Sequence, residues 1–158
     1  MISPEYPYEL KMKIYLDMCV YNRPFDYQGD EKIALETNAF IYILEKIEKG
    51  EYELVSSEIL LYENNKNPDI QRKVRITSYF SLAKKFVKVE KKDIERVKVL
   101  KKFGFCDIDA FHIAIAEKSK VDYFITCDKE IINIYRNHKR LIKTVIVGIL
   151  EFISLDRR

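Results

Sequence analysis

The chain has 158 residues, of which 47% are hydrophobic and 34% are charged, and its net charge is +3. This composition predicts one soluble, cytoplasmic domain over residues 1–158. It excludes a membrane span, because no apolar run approaches the roughly 20 residues that a span needs. Three cysteines without a CxxC pair are typical of a reducing compartment rather than of a disulfide scaffold.

Segments with the period of a strand alternate along the chain with segments of helical period. The predicted strands are at residues 12–16, 54–56, 86–89, 123–126 and 144–147. The predicted helices are at 31–49, after Ser57, at 70–82, at 92–103, an alanine-rich one at 110–116, one at 130–136 and a short one that ends near 153. Residues 1–11 are predicted as a loose leader and residues 18–26 as a loop. This alternation predicts a parallel sheet with right-handed crossovers. The predicted fold class is therefore α/β, a three-layer α/β/α sandwich with a mainly parallel central sheet.

Local signals support several of these boundaries. Asp30, Ser57 and Asp69 each precede a helical segment, and their short polar side chains are suited to cap it. Gly50 is suited to end the long helix. The Asn, Pro and Asp content of residues 18–26 indicates a loop.

Two of the predicted strands end at an aspartate, the first at Asp17 and the fourth at Asp128. Ligands of open α/β sheets bind at the carboxyl ends of the strands, so both side chains are predicted at a ligand-binding edge. Asp107 and Asp109 stand at the start of the alanine-rich helix, and Glu63 lies in the helix after Ser57.

Each of these acids also has a purely structural interpretation. Asp107 and Asp109 are suited to cap the helix that follows them, and a carboxylate there also suits the helix dipole. Glu63 is compatible with a solvated helix face. Asp17 and Asp128 are compatible with turns, in which aspartate is common.

Convergence of these acids would have an energetic consequence. Two carboxylates about 6 Å apart repel by about 3 kcal/mol at an effective dielectric constant near 20. Several such pairs would exceed the roughly 5–15 kcal/mol by which a typical domain is stable. Such a cluster must therefore protonate, stay hydrated or hold cations, and carboxylate oxygens suit Mg²⁺ or Mn²⁺.

The order and spacing of these acids resemble the pattern of the PIN-domain family, whose nuclease fold is shared by VapC-type toxins and their relatives. The resemblance covers nearly the whole chain. It rests on a first strand that ends in Asp (residues 14–17), a Ser followed by a helical Glu (57–63), an Asp that opens an alanine-rich helix (109–116) and a strand that leads into Thr-x-Asp (126–128).

The resemblance implies a metal-dependent endoribonuclease that hydrolyses RNA phosphodiester bonds with Mg²⁺ or Mn²⁺, in a family that includes the toxins of toxin–antitoxin modules. It implies that Asp17, Glu63, Asp109 and Asp128 are the catalytic, metal-binding residues and that Thr126 supports them. The partners it implies are an RNA substrate, an antitoxin protein and a second copy of the chain.

Other residues leave alternatives open. Asp107 either joins the metal site or caps the helix, and Glu58 is a rival to Glu63 whose place does not match the motif. His112, one helical turn after Asp109, either packs in the core or serves catalysis. The cysteines, Cys19, Cys106 and Cys127, lie near the acids but match no zinc spacing.

Several basic residues are candidate contacts for RNA phosphates, and their alternative is a solvated helix face. Arg23 also has Asp26 as a nearby partner for an ion pair. The candidates are Arg23, Arg72, Lys73, Arg75, Lys101 and Lys102.

Two other classes of function compete with the nuclease. A non-catalytic PIN-like module would bind RNA or a protein without cutting, but it would have no need of repelling acids. A response-regulator-like domain would want a Lys on its last strand, and residues 144–147 offer no convincing match.

Overall fold

The computed structural model describes residues 11–156, so the predicted leader lies, apart from Lys11, outside the described residues. Within this range five strands form one sheet, and every neighbouring pair is parallel. Their order across the sheet is β3-β2-β1-β4-β5. The strands are β1 (Met12–Leu16), β2 (Tyr52–Ser57), β3 (Lys85–Val87), β4 (Tyr123–Thr126) and β5 (Val145–Gly148).

Eight α-helices pack around this sheet in the described part of the chain. They are α1 (Met18–Asn22), α2 (Glu31–Glu48), α3 (Glu58–Asn65), α4 (Ile70–Phe80), α5 (Lys91–Lys102), α6 (Asp107–Lys118), α7 (Lys129–His138) and α8 (Ile149–Asp156). Helix α2 packs against α8, and α6 packs against α5 and α3. The predicted α/β class is confirmed. Between residues 11 and 156 no helix combines the length and apolarity that crossing a bilayer requires.

Strand β1 is the centre of the sheet. Ile14, Tyr15 and Leu16 are fully buried, and the strand pairs with β2 on one side and with β4 on the other. The chain builds outward from β1 to β3, then returns through α5 and α6 to add β4 and β5 on the opposite side. The junction of β1 and β4 is therefore a topological switch point, where ligands bind in sheets of this kind.

The predicted helix caps are confirmed. Each side chain accepts a hydrogen bond from an amide in the first turn of its helix, which satisfies a donor that the helix itself leaves without a partner. The cap–amide pairs are Asp30–Ile33 at 3.1 Å, Ser57–Leu60 at 3.2 Å and Asp69–Arg72 at 3.1 Å. Gly50 follows α2 with φ of +77°, a conformation that favours glycine.

The predicted loop at residues 18–26 is wrong. Helix α1 occupies its first part, and a 3₁₀-helix, Arg23–Phe25, follows with Pro24 in its first turn. Asp17 starts α1 by accepting the amide hydrogen of Met18 at 2.8 Å. The loop residues that predicted a break are thus compatible with two short helical turns, because Pro is tolerated at a helix start.

Burial of Tyr21 explains why α1 forms. Its ring is fully buried and lies edge-on to Phe40 at 5.8 Å and to Phe80 at 5.0 Å, measured between ring centroids. Aromatic pairs in this arrangement add stability beyond the area they bury. The contact joins α1 to α2 and α4, so tertiary packing overrides the local loop signal.

The start of α6 also differs from the prediction. Cys106 occupies the capping position, and its carbonyl accepts the amide hydrogen of Ala110 at 2.9 Å. The interpretation of Asp107 or Asp109 as the cap is therefore wrong, because both lie in the first helical turn. The other element ends differ from the predicted ones by a few residues, since the end of an apolar run does not mark the end of a hydrogen-bonded ladder.

Arg23 lies between two carboxylates. Its Nε donates to Glu36 Oε1 and its Nη1 to Asp26 Oδ2, both at 2.8 Å. Arg72 Nη2 donates to the carbonyl of Phe25 at 2.6 Å and lies 3.3 Å from Asp26 Oδ1. Both arginines, candidates for RNA contact, thus tie the 3₁₀-helix to α2 and α4.

We expect Arg23→Met to lower the free energy of unfolding by about 2–4 kcal/mol, because it leaves the buried Glu36 carboxylate without its cation. Urea unfolding measures the change. Adding Glu36→Met to this variant should recover much of the loss. The control is Lys98→Ala, which breaks the exposed pair with Glu95 and should change stability by less than about 0.5 kcal/mol. Equal effects of the two single changes would contradict this account of the Arg23 pair.

Candidate functional site

Asp17 and Asp128 follow the neighbouring strands β1 and β4 at the switch point, and Thr126 links them. The Thr126 hydroxyl donates to Asp17 Oδ2 at 2.7 Å, and its oxygen accepts the amide hydrogen of Asp128 at 3.0 Å. The amide of Asp17 in turn donates to the carbonyl of Ile125 at 2.9 Å. The pairing of β1 with β4 therefore sets the relative position of the two aspartates.

Asp17 is almost completely buried, with 5% of its surface exposed. Burial raises the pKa of its carboxyl, and the nearby Glu63 raises it further, while the hydrogen bond from the Thr126 hydroxyl lowers it. Its Oδ1 accepts the amide hydrogen of Met18. The ionised form of Asp17 is thus desolvated but has donors on both oxygens.

Asp109 projects from the first turn of α6. Burial raises the pKa of its carboxyl to about 6, and the negative charges of Asp17 and Asp128 raise it as well. The Cys106 thiol acts in the opposite direction. Asp109 is therefore close enough to both strand-end aspartates to be repelled by them.

Glu63, on α3, completes the set of predicted acids. Its Oε1 lies 2.7 Å from His112 Nε2, and its side chain is 34% exposed. Its charge raises the pKa of Asp17, so it too lies near the switch point. We call Asp17, Glu63, Asp109 and Asp128 the acid rim.

Three residues behind the acid rim form a buried hydrogen-bonded row that the sequence did not reveal. His112 Nδ1 lies 2.6 Å from the Tyr15 hydroxyl, which lies 2.6 Å from Ser57 Oγ. His112 is buried in the core, as one of its two interpretations predicts, and it also contacts Glu63; a catalytic role for it stays a prediction. One signal was available: Asp17, which has an extended backbone, follows Tyr15 of β1 by two residues, and alternate residues of an extended segment share a face.

Several candidates lie apart from the acid rim or are engaged elsewhere. Asp107 is 70% exposed and pairs with Lys101 at 2.6 Å. Glu58 Oε2 accepts the amide hydrogen of Val89. Lys73 Nζ donates to the carbonyl of Asn65 at 3.4 Å. These contacts supply local structure.

Arg75 and Lys102 are the exposed basic candidates whose side chains make neither a hydrogen bond nor an ion pair within residues 11–156, whereas Lys101 pairs with Asp107. Arg75 lines a surface cavity of about 440 Å³ that Phe25, Ile70 and Val74 also line. This cavity lies beside the 3₁₀-helix and α4 and contains no member of the acid rim.

Two cysteines lie beside the acid rim. Cys19 Sγ is 3.4 Å from Asp17 Oδ2 and 3.2 Å from the amide nitrogen of Cys127. The hydrogen bond with Cys127 and burial raise the pKa of the Cys19 thiol well above its usual value, so the thiol form is favoured.

The chemistry of the acid rim fits a hard divalent cation, although its side chains are not arranged as a metal site. Between residues 11 and 156 no three His, Cys, Asp or Glu side chains lie together so that they could hold a metal ion. The raised pKa values of Asp17 and Asp109 show that burial and like charges penalise their ionised forms. A bound cation would remove this penalty, and oxygen donors suit Mg²⁺ or Mn²⁺.

We expect Asp109→Asn to stabilise the metal-free protein. The folded-state pKa of Asp109, about 6, lies above its usual value of 3.8. The folded state thus holds the proton more tightly, and this carboxyl lowers stability as pH rises from about 4 to about 6. After a discount for its partial exposure, the gain near pH 7 should be about 1–2 kcal/mol and should vanish below about pH 4.

Urea unfolding in EDTA across this pH range tests the expectation. The matched control is Asp107→Asn, which removes an exposed carboxylate two residues away on the same helix and also loses the pair with Lys101. No gain for Asp109→Asn at neutral pH would mean that burial and the neighbouring aspartates do not penalise its charge.

Comparison with known proteins bears on the fold. No protein-family model matches the sequence, and no curated protein matches it significantly. Among solved structures, VapBC2 from Rickettsia felis bound to a DNA fragment from its promoter contains a similar chain, with a TM-score of 0.56 and 14% identity over 87% of this chain and 98% of that chain. DNA-bound VapBC from Salmonella typhimurium contains another, with a TM-score of 0.51 and 13% identity over the same shares. VapC is a PIN-domain toxin, and the chain described here has the PIN-domain fold.

Proposed function

We propose that the chain is a PIN-type endoribonuclease that hydrolyses RNA phosphodiester bonds with Mg²⁺ or Mn²⁺. The observation that supports the proposal is that members of the acid rim lie close enough at the switch point for the charge of one to raise the pKa of another. This holds for Glu63 acting on Asp17 and for Asp17 and Asp128 acting on Asp109. The four acids lie after β1, on α3, on α6 and after β4. A fold has no structural use for such repulsion, whereas phosphodiester hydrolysis commonly uses carboxylate-bound metal.

The residues of this site have separate tasks. The Thr126 hydroxyl orients the Asp17 carboxylate and the backbone that leads to Asp128. His112 contacts one oxygen of Glu63. The raised pKa of Asp109 indicates that a positive charge beside it would be favourable. A divalent cation bound there would supply an activated water and neutralise charge on the phosphate.

A non-catalytic RNA- or protein-binding module is the second candidate function. It is favoured by one observation, namely that within residues 11–156 no three potential ligands are already arranged to hold a metal. In this alternative the acid rim would repel the RNA backbone, so RNA would have to bind elsewhere. The two candidates differ in their need for Asp109.

The test is cleavage of a mixed single-stranded RNA with Mg²⁺, with Mn²⁺ and with EDTA. We expect metal-dependent cutting by the unmodified chain and a loss of about 100-fold or more for Asp109→Asn, in the range seen when one electrostatic contact to a reacting centre is removed. Asp107→Asn is the matched control, since Asp107 pairs with Lys101 away from the acid rim, and it should cut within about threefold of the unmodified chain.

The outcomes separate the hypotheses. Cutting that survives Asp109→Asn would place the active site elsewhere. No cutting with either metal, together with tight RNA or protein binding, would favour the binding module. Equal losses in both Asp variants would indicate that the effect is not specific to the acid rim.

We further propose that the chain is the toxin of a toxin–antitoxin module, with a small antitoxin protein and a second copy of itself as partners. The two similar structures are VapBC complexes bound to DNA, which supports an antitoxin partner. The proposal of a homodimer rests on the resemblance to the PIN family alone. Light scattering of the purified chain tests it, and a mass equal to that of one chain would contradict it.

Expression in a bacterial host tests the toxin role. Induction of the chain should stop growth, because an endoribonuclease without its antitoxin degrades RNA on which growth depends. Asp109→Asn should abolish the arrest and Asp107→Asn should retain it, at matched protein levels on an immunoblot. If the host keeps growing although the purified chain cuts RNA, the toxin role is excluded. The nuclease function would still stand in that case.

A further inference from the structure

A continuous row of hydrogen bonds runs from the first turn of α3 through the sheet to the acid rim. The Leu60 amide donates to Ser57 Oγ at 3.2 Å, and Ser57 Oγ lies 2.6 Å from the Tyr15 hydroxyl. That hydroxyl lies 2.6 Å from His112 Nδ1, and His112 Nε2 lies 2.7 Å from Glu63 Oε1. Ser57, Tyr15 and His112 are all fully buried, so water does not compete for these bonds.

One assignment of protons satisfies every group in the row. Ser57 accepts from the Leu60 amide and donates to the Tyr15 oxygen, and Tyr15 donates to His112 Nδ1. The imidazole is then neutral with its proton on Nε2, which donates to the Glu63 carboxylate. If Nδ1 carried a proton instead, Tyr15 would have to donate to Ser57, and the Ser57 hydroxyl would need an acceptor outside the row. Satisfied polar groups are the rule in protein interiors.

Packing holds the row in place. The Tyr15 ring stacks on Phe124 with 5.5 Å between centroids, and the His112 ring lies edge-on to Tyr15 at 5.6 Å. Ser57 is fixed as the cap of α3. The His112 ring is bonded through both of its nitrogens, so it cannot flip without breaking these hydrogen bonds. The core therefore sets the direction of the N–H group that faces Glu63.

We propose that His112 is a positioning residue: held by Tyr15 and Ser57, it fixes the Glu63 carboxylate through Oε1 and leaves Oε2 for the cation. Oε2 takes no hydrogen bond among residues 11–156. The role of Oε2 rests on the proposed function, whereas the coupling of His112 to Glu63 does not. Residues that orient a metal-binding side chain typically change metal affinity by about 10–100-fold when they are replaced.

Two substitutions of His112 separate its two hydrogen bonds. The amide nitrogen of Gln can take the place of Nε2, so His112→Gln keeps the donor to Glu63 and loses the acceptor for Tyr15. The amide oxygen of Asn can take the place of Nδ1, so His112→Asn keeps the acceptor and loses the donor. Both variants leave a smaller polar side chain in the same buried space, and they differ from each other by one methylene group.

Mn²⁺ binding by calorimetry on the full chain is the first measurement. His112→Asn should weaken Mn²⁺ binding by about 10-fold or more, and His112→Gln by less than about threefold. In a Glu63→Ala background, His112→Asn should cause no further weakening. Equal weakening by Asn and Gln, or a full further loss without Glu63, would overturn the proposal, because His112 would then act by packing or through another residue.

Glu117→Gln is the control for general damage to α6. It disrupts the two hydrogen bonds from Arg96, both 2.7 Å long, at the end of the helix away from the acid rim. It should lower the urea midpoint and leave Mn²⁺ affinity within about twofold. A comparable loss of Mn²⁺ affinity in this variant would assign the His112 effect to instability of α6 and overturn the positioning role.

Unfolding in EDTA tests the row whether or not the chain is a nuclease. His112→Asn and Glu63→Ala each remove the same hydrogen bond. The double variant should therefore lower the urea midpoint by less than the sum of the two single shifts. Additive shifts would overturn the coupling. If the unmodified chain binds no Mn²⁺ while the shifts are less than additive, the proposed metal-dependent function fails and the coupling of His112 to Glu63 stands.

Discussion

Desolvation of Asp17 is the constraint on which the rest of the site depends. A buried carboxylate is tolerated only where donors replace the water it has lost. Here the Met18 amide and the Thr126 hydroxyl are those donors, one from each side of the β1–β4 junction. The same residue starts α1, so a single side chain joins the end of a strand, the start of a helix and the neighbouring strand. Asp128 is linked to this fixed point through Thr126.

The order of the strands turns this local arrangement into a site. Because β1 lies between β2 and β4, the elements that follow both neighbours have access to the end of β1. Glu63 lies on the helix after β2, Asp109 on the helix before β4, and Asp128 two residues after the end of β4. The acids repel one another because the strand order brings the elements that carry them to the same edge of the sheet.

The sequence predicted those parts of the structure that depend on near neighbours. The helix caps and the strands that end at Asp17 and Asp128 were recognised, because capping and strand ends are encoded within a few residues. Helix α1 was not, since the contact that holds it joins Tyr21 to Phe80, a residue far along the chain. The resemblance to the PIN family supplied the set of acids, and the comparison with solved structures supports its fold.

Pairings between distant buried polar groups were beyond sequence reasoning for a physical reason. Tyr15 and His112 each look like an ordinary core residue, and their hydrogen bond depends on the register of β1 and the rotation of α6. Of the two partners of Arg23, Asp26 was recognised because it is close in sequence, whereas Glu36, which is farther along the chain, was not. Local patterns indicate which residues are buried, but only the assembled fold shows which of them touch.

The bond between Thr126 and Asp17 also bears on when the site can form during synthesis. It joins residues 109 positions apart, and β1 cannot acquire β4 as a neighbour until the ribosome has released the segment beyond α6. Before then a nascent chain contains Asp17, Glu63 and Asp109, but Asp17 has no hydroxyl donor on its second side. Closing so distant a contact is a late and slow event in folding. The acid rim is therefore among the last features of the molecule to be assembled, after most of the polypeptide has already been made.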